Sequence, residues 1–289
     1  MSSFRRIYVL AASTFTQLVR MKVFYFPALF ALLIFVLSMV LLRFPRPEEQ
    51  LKQLVDVSLG SLFLFGSIFG IVATSLLLPK DIEDRTLYTI LSKPVRRIEY
   101  LLGKLLGVLG LVGVTMLLMN LVFSGVLYFR QEALVAEELR FLSPTGEVSE
   151  AVRAQEIRSY GLTWNLQKGV FITFLKSSVA AAIALLVSTI ASSTLFTILV
   201  STTIFFIGHV QKIARDFWLA GQGDAFLPKA GAALVSLLFP DFQLYNAIDG
   251  VAAGDLISNG AVGYLLGVTS LYLAVYTCIA WFAFVDKEL

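Results

Sequence analysis

Two charge-free apolar runs, residues 57–78 and 105–129, bracket the one long polar and basic stretch of the chain, residues 83–107. Each run is long enough to cross a hydrocarbon layer of ~30 Å as a helix, which takes roughly 20 residues. The stretch EDRTLYTILSKPVRRIEYLLGKLLG is therefore a short loop clamped at both ends to a membrane. It carries Arg85, Lys93, Arg96, Arg97 and Lys104 against Glu83, Asp84 and Glu99. Short Lys/Arg-rich loops stay on the cytoplasmic side. Within it Leu87, Ile90 and Leu91 fall at i, i+3 and i+4, so they share one face of a short helix. Thr86 can open that helix, and Pro94 stops it near Ser92 and Lys93. Such a helix lies across the membrane surface. Its apolar face either docks a protein or rests on lipid headgroups.

The rest of the composition agrees. Of 289 residues, 57% are hydrophobic and 15% charged, where a soluble domain carries about a quarter charged. The reading is an all-α polytopic membrane protein. The net charge of +3 is small and its basic residues cluster in short loops. The positive-inside pattern accounts for them, and nucleic acid is not an expected partner. One cysteine, Cys278, excludes an internal disulfide and a Cys cluster for metal. Arg5 and Arg6 precede apolar residues as in a signal peptide. No small-residue cleavage site follows a short apolar core, so the segment is expected to be retained.

Six spans are expected, at residues 24–42, 57–78, 105–129, 170–190, 195–210 and 261–284. Residues 2–22 precede them as an amphipathic interfacial helix, with Phe4, Ile7, Tyr8, Ala11, Phe15 and Leu18 on one face. Residues 80–104 form the cytoplasmic loop. Six spans put both termini on that same side, assigned as cytoplasmic from the density of basic residues in its short segments. Residues 130–168 are the most polar region and read as an extracytoplasmic solvated cap, with short exposed helices flanking an SPTG turn. Residues 211–260 form a second extracytoplasmic segment. Its apolar part, 230–239, is too short to span, so an interfacial or re-entrant helix ended by Pro240 is expected. Gly103, Gly107, Gly110 and Gly113 recur every three or four residues, which suits close helix packing within the bundle.

Lys176 is the clear ionisable residue inside a span. Taken from the start of that span it lies about 9 Å in. That depth lets it snorkel to the interface, and a functional intramembrane charge is the alternative. Thr173, Ser177 and Ser188 in the fourth span, with Thr194, Thr197 and Ser201 in the fifth, suit a hydroxyl-rich helix interface. The sharper alternative makes Lys176, Thr173, Ser177, Thr197 and Ser201 part of a translocation path.

The chain lacks several chemistries. Gly103–Lys104 is followed by Leu105, and Ile98 stands where the first glycine of a phosphate loop belongs. There is no HExxH, no second histidine beside His209, and no buried acid pair or broken helix of the kind ion-coupled transporters use. The chain is not expected to be an enzyme, nor to hold a cofactor or metal of its own.

Glu83, Thr86, Leu87, Ile90, Leu91, Pro94, Val95, Arg97 and Gly103–Lys104 follow one order. A Glu and a short gap precede Thr-Leu, an apolar helix, Lys-Pro-Val, a basic pair and Gly-Lys. On these residues, with the amphipathic start and six-span layout, the chain resembles the permease subunits of ABC-2-type transporters, an exporter class. FPDFQLYN at 239–246 is similar to the Pro-containing motif before the last span of some members. Arg85 departs from the pattern, since many members have glycine there. The resemblance implies a multi-pass protein of a bacterial-type inner membrane, paired with a second permease chain and with ABC ATPase subunits that hold the ATP and Mg. It implies an ATPase-coupling helix in which Leu87, Tyr88 and Leu91 fill a groove of the ATPase. Glu83, Thr86, Ile90 and Pro94 belong to that interface, and Arg96, Arg97 and Glu99 fix its rim. Two other readings stand beside it: a secondary transporter or channel working alone, and a membrane scaffold that anchors a partner.

Overall fold

The computed structural model describes residues 3–20, 25–41, 46–83, 95–141, 150–191, 193–221, 239–246, 250–251 and 254–285. Among them every regular element is helical: α1 (Ser3–Arg20), α2 (Tyr25–Leu41), α3 (Pro47–Glu83), α4 (Arg97–Phe141), α5 (Glu150–Ser159), α6 (Trp164–Ile190), α7 (Thr194–Gly221), a 3₁₀ turn (Phe242–Tyr245) and α8 (Asn259–Val285). Five of these helices are long and apolar enough to cross a membrane. The described part of α2 is free of charge over 17 residues, about 26 Å of helix. This is an all-α, multi-pass membrane protein.

The helices outrun the apolar runs, for local reasons. α3 begins at Pro47, where the missing N–H has no helical partner to lose, and Glu48 and Glu49 meet the positive end of its dipole. α4 runs 45 residues because no glycine or proline interrupts the chain between Phe129 and Phe141. α6 starts at Trp164, and the Thr163 side chain caps it by accepting the Leu166 N–H at 3.4 Å.

α6 is the axis of the bundle, with α3, α4, α7 and α8 all packed on it. From Ile172 to Leu185 every side chain except Phe174 is buried. Ala180, Ala181, Ala182 and Ala184 keep that stretch thin enough for several neighbours to approach. Larger side chains fill the space around it, including Phe30, Leu59, Leu62 and Phe123.

α1 has a partner that its amphipathic pattern does not reveal. It packs along the first half of α4. A Cβ on Gly103 would stand 2.5 Å from Leu10 Cβ, and one on Gly107 would stand 2.6 Å from Thr14 Cβ and 2.7 Å from the Ala11 carbonyl oxygen. Two of the glycines that suit close helix packing seat this helix. Phe4 and Tyr8 stay 86% and 73% exposed on its outer side, a surface suited to the headgroup region.

At the end opposite residues 84–94, the described part of the polar region is tied down by ion pairs. Residues 132–140, read as a separate short helix, are the end of α4. Arg153 of α5 pairs with Glu48 at 2.8 Å, Glu138 at 3.0 Å and Glu156 at 2.8 Å. Arg158 pairs with Glu132 at 3.0 Å, and Arg130 donates to the Gln50 side chain at 2.6 Å. A guanidinium with several donors can bridge three helix ends at once. The SPTG turn and residues 230–238 of the expected helix at 230–239 lie outside the described residues.

Candidate functional site

Residues 84–94 connect the carboxyl end of α3 to the amino end of α4. Thr86, Leu87, Tyr88, Ile90, Leu91 and Pro94 lie outside the described residues, as does the side chain of Glu83. The structure describes the platform from which this loop leaves.

Three contacts build that platform. First, Asp81 near the end of α3 meets Lys104 of α4 at 2.7 Å, with side chains 6% and 5% exposed. The Tyr100 hydroxyl donates to the same carboxylate at 2.6 Å, and the Lys104 ammonium lies 5.6 Å from the Tyr100 ring centroid. Tyr100 and Lys104 are four residues apart, so both reach from one face of α4. Second, Glu99 takes two hydrogen bonds from Arg6 of α1, at 2.9 Å from Nε and 2.7 Å from Nη2. The Arg96 N–H adds a third at 3.2 Å. A fork-to-fork pair of this kind fixes direction as well as distance. The Arg6 hydrogen bonds hold the Glu99 carboxyl down at about 2. Third, Arg97 Nη1 donates to the carbonyls of Phe284 and Val285, each at 2.7 Å. These are carbonyls that the end of α8 leaves without helical partners.

The amino-terminal helix, both flanks of the loop and the end of the last helix therefore meet at one end of the bundle. Among the sequence-predicted coupling residues, Arg96 and Arg97 are described. Arg97 is bonded to α8, Glu99 is bonded to α1, and Arg96 is exposed. Asp81 and Tyr100 were missed. Their signal was weak: one acid at the end of one span and a Tyr-x₃-Lys spacing at the start of the next.

The second group of predicted residues lies deep in the bundle. Lys176 does not snorkel outward. The α6 helix starts at Trp164, so Lys176 lies about 18 Å along it, and it is 5% exposed. Its ammonium stands 3.9 Å from the centroid of the Phe63 ring on α3, a contact worth about 2 kcal/mol when desolvated. Thr173, Ser177, Thr197 and Ser201 are all buried. Thr173 donates to the Gly169 carbonyl and Thr197 to the Ser193 carbonyl. Ser177 bonds the Thr173 carbonyl at 3.0 Å and the Ser67 hydroxyl of α3 at 3.2 Å. The Thr173, Ser177 and Thr197 hydroxyls serve their own helices and, at Ser67–Ser177, a helix interface, whereas Ser201 Oγ is buried without a hydrogen-bond partner among the described residues.

An aromatic layer adjoins Lys176. Phe63 lies against Phe205 and His209 of α7, with centroids 5.6 and 5.4 Å away. Phe242 of the 3₁₀ turn stacks on His209 at 5.0 Å. Asp241 caps that turn by accepting the Gln243 N–H at 3.0 Å, and Tyr245 pairs with Thr269 of α8 at 2.8 Å. The FPDFQLYN segment thus returns between α6, α7 and α8.

The sequence model of the family described as ABC-2 family transporter protein matches residues 42–282. The match covers the loop, the buried Lys176 layer and the 3₁₀ turn, and it begins after α1. No curated protein matches the chain.

Proposed function

The chain belongs to the ABC-2 transporter family, and from that premise we propose that it is the permease subunit of an exporter driven by a separate ATPase. The observation that carries the reading is the convergence of three helix ends and α1 on the loop flanks. A push on residues 84–94 meets α3 through Asp81, α4 through Lys104 and Tyr100, α1 through Arg6–Glu99, and α8 through Arg97. In this scheme Leu87, Tyr88 and Leu91 are the handle, and Arg97 belongs to the relay behind it. ATP and Mg are held by the ATPase. Its closure favours a second arrangement of the spans because its contact with the loop differs between the two states. Two permease chains and two ATPase chains make the assembly. The loop and both termini face the ATPase on the cytoplasmic side of the inner membrane, and cargo leaves on the other.

The test is purification of the tagged chain from its native membrane, with mass spectrometry for a Walker-motif ATPase. Leu87→Asp and Leu91→Asp are expected to lose that ATPase while inserting normally. Undiminished capture by both variants overturns the proposal. So does labelling of a cysteine at position 88, in a Cys278→Ser background, from the outer side of sealed cells.

A further inference from the structure

Lys176 stands in an unusual place for a cation. It lies about 18 Å from one end of α6 and about 21 Å from the other. Its partner is the face of Phe63, and among the described residues no carboxylate, carbonyl or hydroxyl pairs with it. An ammonium withdrawn from water needs a counter-charge or several acceptors, and one aromatic ring compensates it only in part. Ion pairs elsewhere in the chain show the alternative: Lys104, equally buried, has Asp81. Around Lys176 the described residues offer nothing comparable.

The surroundings say what would. Phe63, Phe205 and Phe242 form an aromatic wall, and His209 sits within it. His209 gives its Nδ1 to the Phe205 carbonyl at 2.8 Å, while its Nε2 is buried without a hydrogen-bond partner. Phe63 and His209 are only half-buried. Their chain neighbours Leu64 and Val210 are 51% and 55% exposed. The cation therefore lies directly beneath the Phe63 and His209 rings, where α3 and α7 meet.

We propose that Lys176 is a binding position for an amphiphile's anionic group, a carboxylate or phosphate, whose apolar body lies along the half-buried rings of Phe63 and His209. As the cargo's position it rests on the permease reading above; as a binding site it stands without it. The anion supplies the missing counter-charge. The apolar body replaces lipid against the half-buried Phe63 and His209 and the exposed Leu64 and Val210 beside them.

The experiment uses the full chain in nanodiscs of zwitterionic lipid, with no ATPase present. A fluorescent twelve-carbon fatty acid and its methyl ester are the probes. The wild type is expected to bind the acid about 10-fold more tightly than the ester or better, the scale of one added ionic contact. Lys176→Met should erase that preference, and Lys176→Arg, which keeps the charge, should restore it. Displacement of the acid by an anionic phospholipid supports a lipid headgroup as the natural occupant. Resistance to displacement supports a free amphiphile, and either result upholds an anion site. A wild type that binds acid and ester alike overturns the proposal, as does a preference that survives in Lys176→Met. Leu91→Asp should leave the preference intact, so failure of the ATPase handle and failure of this site are read separately.

Discussion

The Lys104 ammonium sits 2.7 Å from the Asp81 carboxylate, and the two side chains are 5% and 6% exposed. The pair joins the helix that enters the 84–94 loop to the helix that leaves it. Removing one member strands the other charge in a dry site, which costs about 3–5 kcal/mol. Lys104→Met is therefore expected to lower stability on that scale in a denaturant titration in detergent. The double variant Asp81→Asn/Lys104→Met should recover most of the loss. The amide oxygen that replaces the carboxylate still accepts the Tyr100 hydroxyl, and no lone charge remains. A double variant as unstable as the sum of the singles would refute the pairing.

Glycine replacements separate packing from propensity. Alanine is favoured over glycine within a helix by about 1 kcal/mol. At Gly125 a new Cβ meets nothing within 4 Å, so Gly125→Ala should be neutral or stabilising. At Gly107 the new Cβ would meet Thr14 and the Ala11 backbone at 2.6 and 2.7 Å. Overpacking costs about 1–3 kcal/mol, so there the clash wins. Gly107→Ala should release α1, read as faster protease cleavage between residues 20 and 25.

Acid should undo the Arg6–Glu99 link in a defined window. Glu99 titrates at about 2 in the folded chain, against 4.5 as its ordinary value. A carboxyl with a depressed folded pKa contributes stability that is complete above its unfolded value and fades as pH falls through the folded one. The α1 contact should therefore be unchanged from pH 7 to about 5 and weaken between about 4.5 and 2. Spin labels on α1 and α4 would report the distance. Glu99→Gln should remove the pH dependence and show the loosened distance throughout.

Arg97 predicts a split between binding and coupling. It is bonded to the α8 carbonyls of Phe284 and Val285. Arg97→Met should keep the ATPase bound in a pull-down and reduce cargo-stimulated ATP hydrolysis several-fold, because the last helix no longer follows the loop. Loss of ATPase binding in this variant would return Arg97 to the interface.

Helix existence was legible wherever apolar runs were long, because each must bury or span. The ends were less legible. Asn165, Gln167 and Lys168 make the stretch up to residue 168 read as loop, so the expected span starts at 170 and puts Lys176 about 9 Å in, whereas the helix itself starts at Trp164. In the fold those polar groups are satisfied by the segment before α8 and by α4. Asn165 bonds the backbone of Asp255 and Ile257, Gln167 bonds Asn120, and Lys168 bonds the Ile257 carbonyl. The glycine spacing of α4 announced a close neighbour and could not say which, since any small-residue stripe accepts any helix of suitable shape. The Asp81–Lys104 pair spans a gap in the chain that periodicity cannot bridge. In the sequence Gly103–Lys104 reads as a failed phosphate loop and as the end of the loop pattern, while in the fold its lysine pairs with Asp81.

α4 is one continuous rod of 45 residues, about 68 Å from tip to tip. It begins among the contacts around Glu99 and reaches the end where Glu132 and Glu138 pair with Arg158 and Arg153. A tilt of about 5° at its near end moves its far tip by about 6 Å. Mechanical work done on one side of the bilayer can thus arrive on the other by leverage along a single beam.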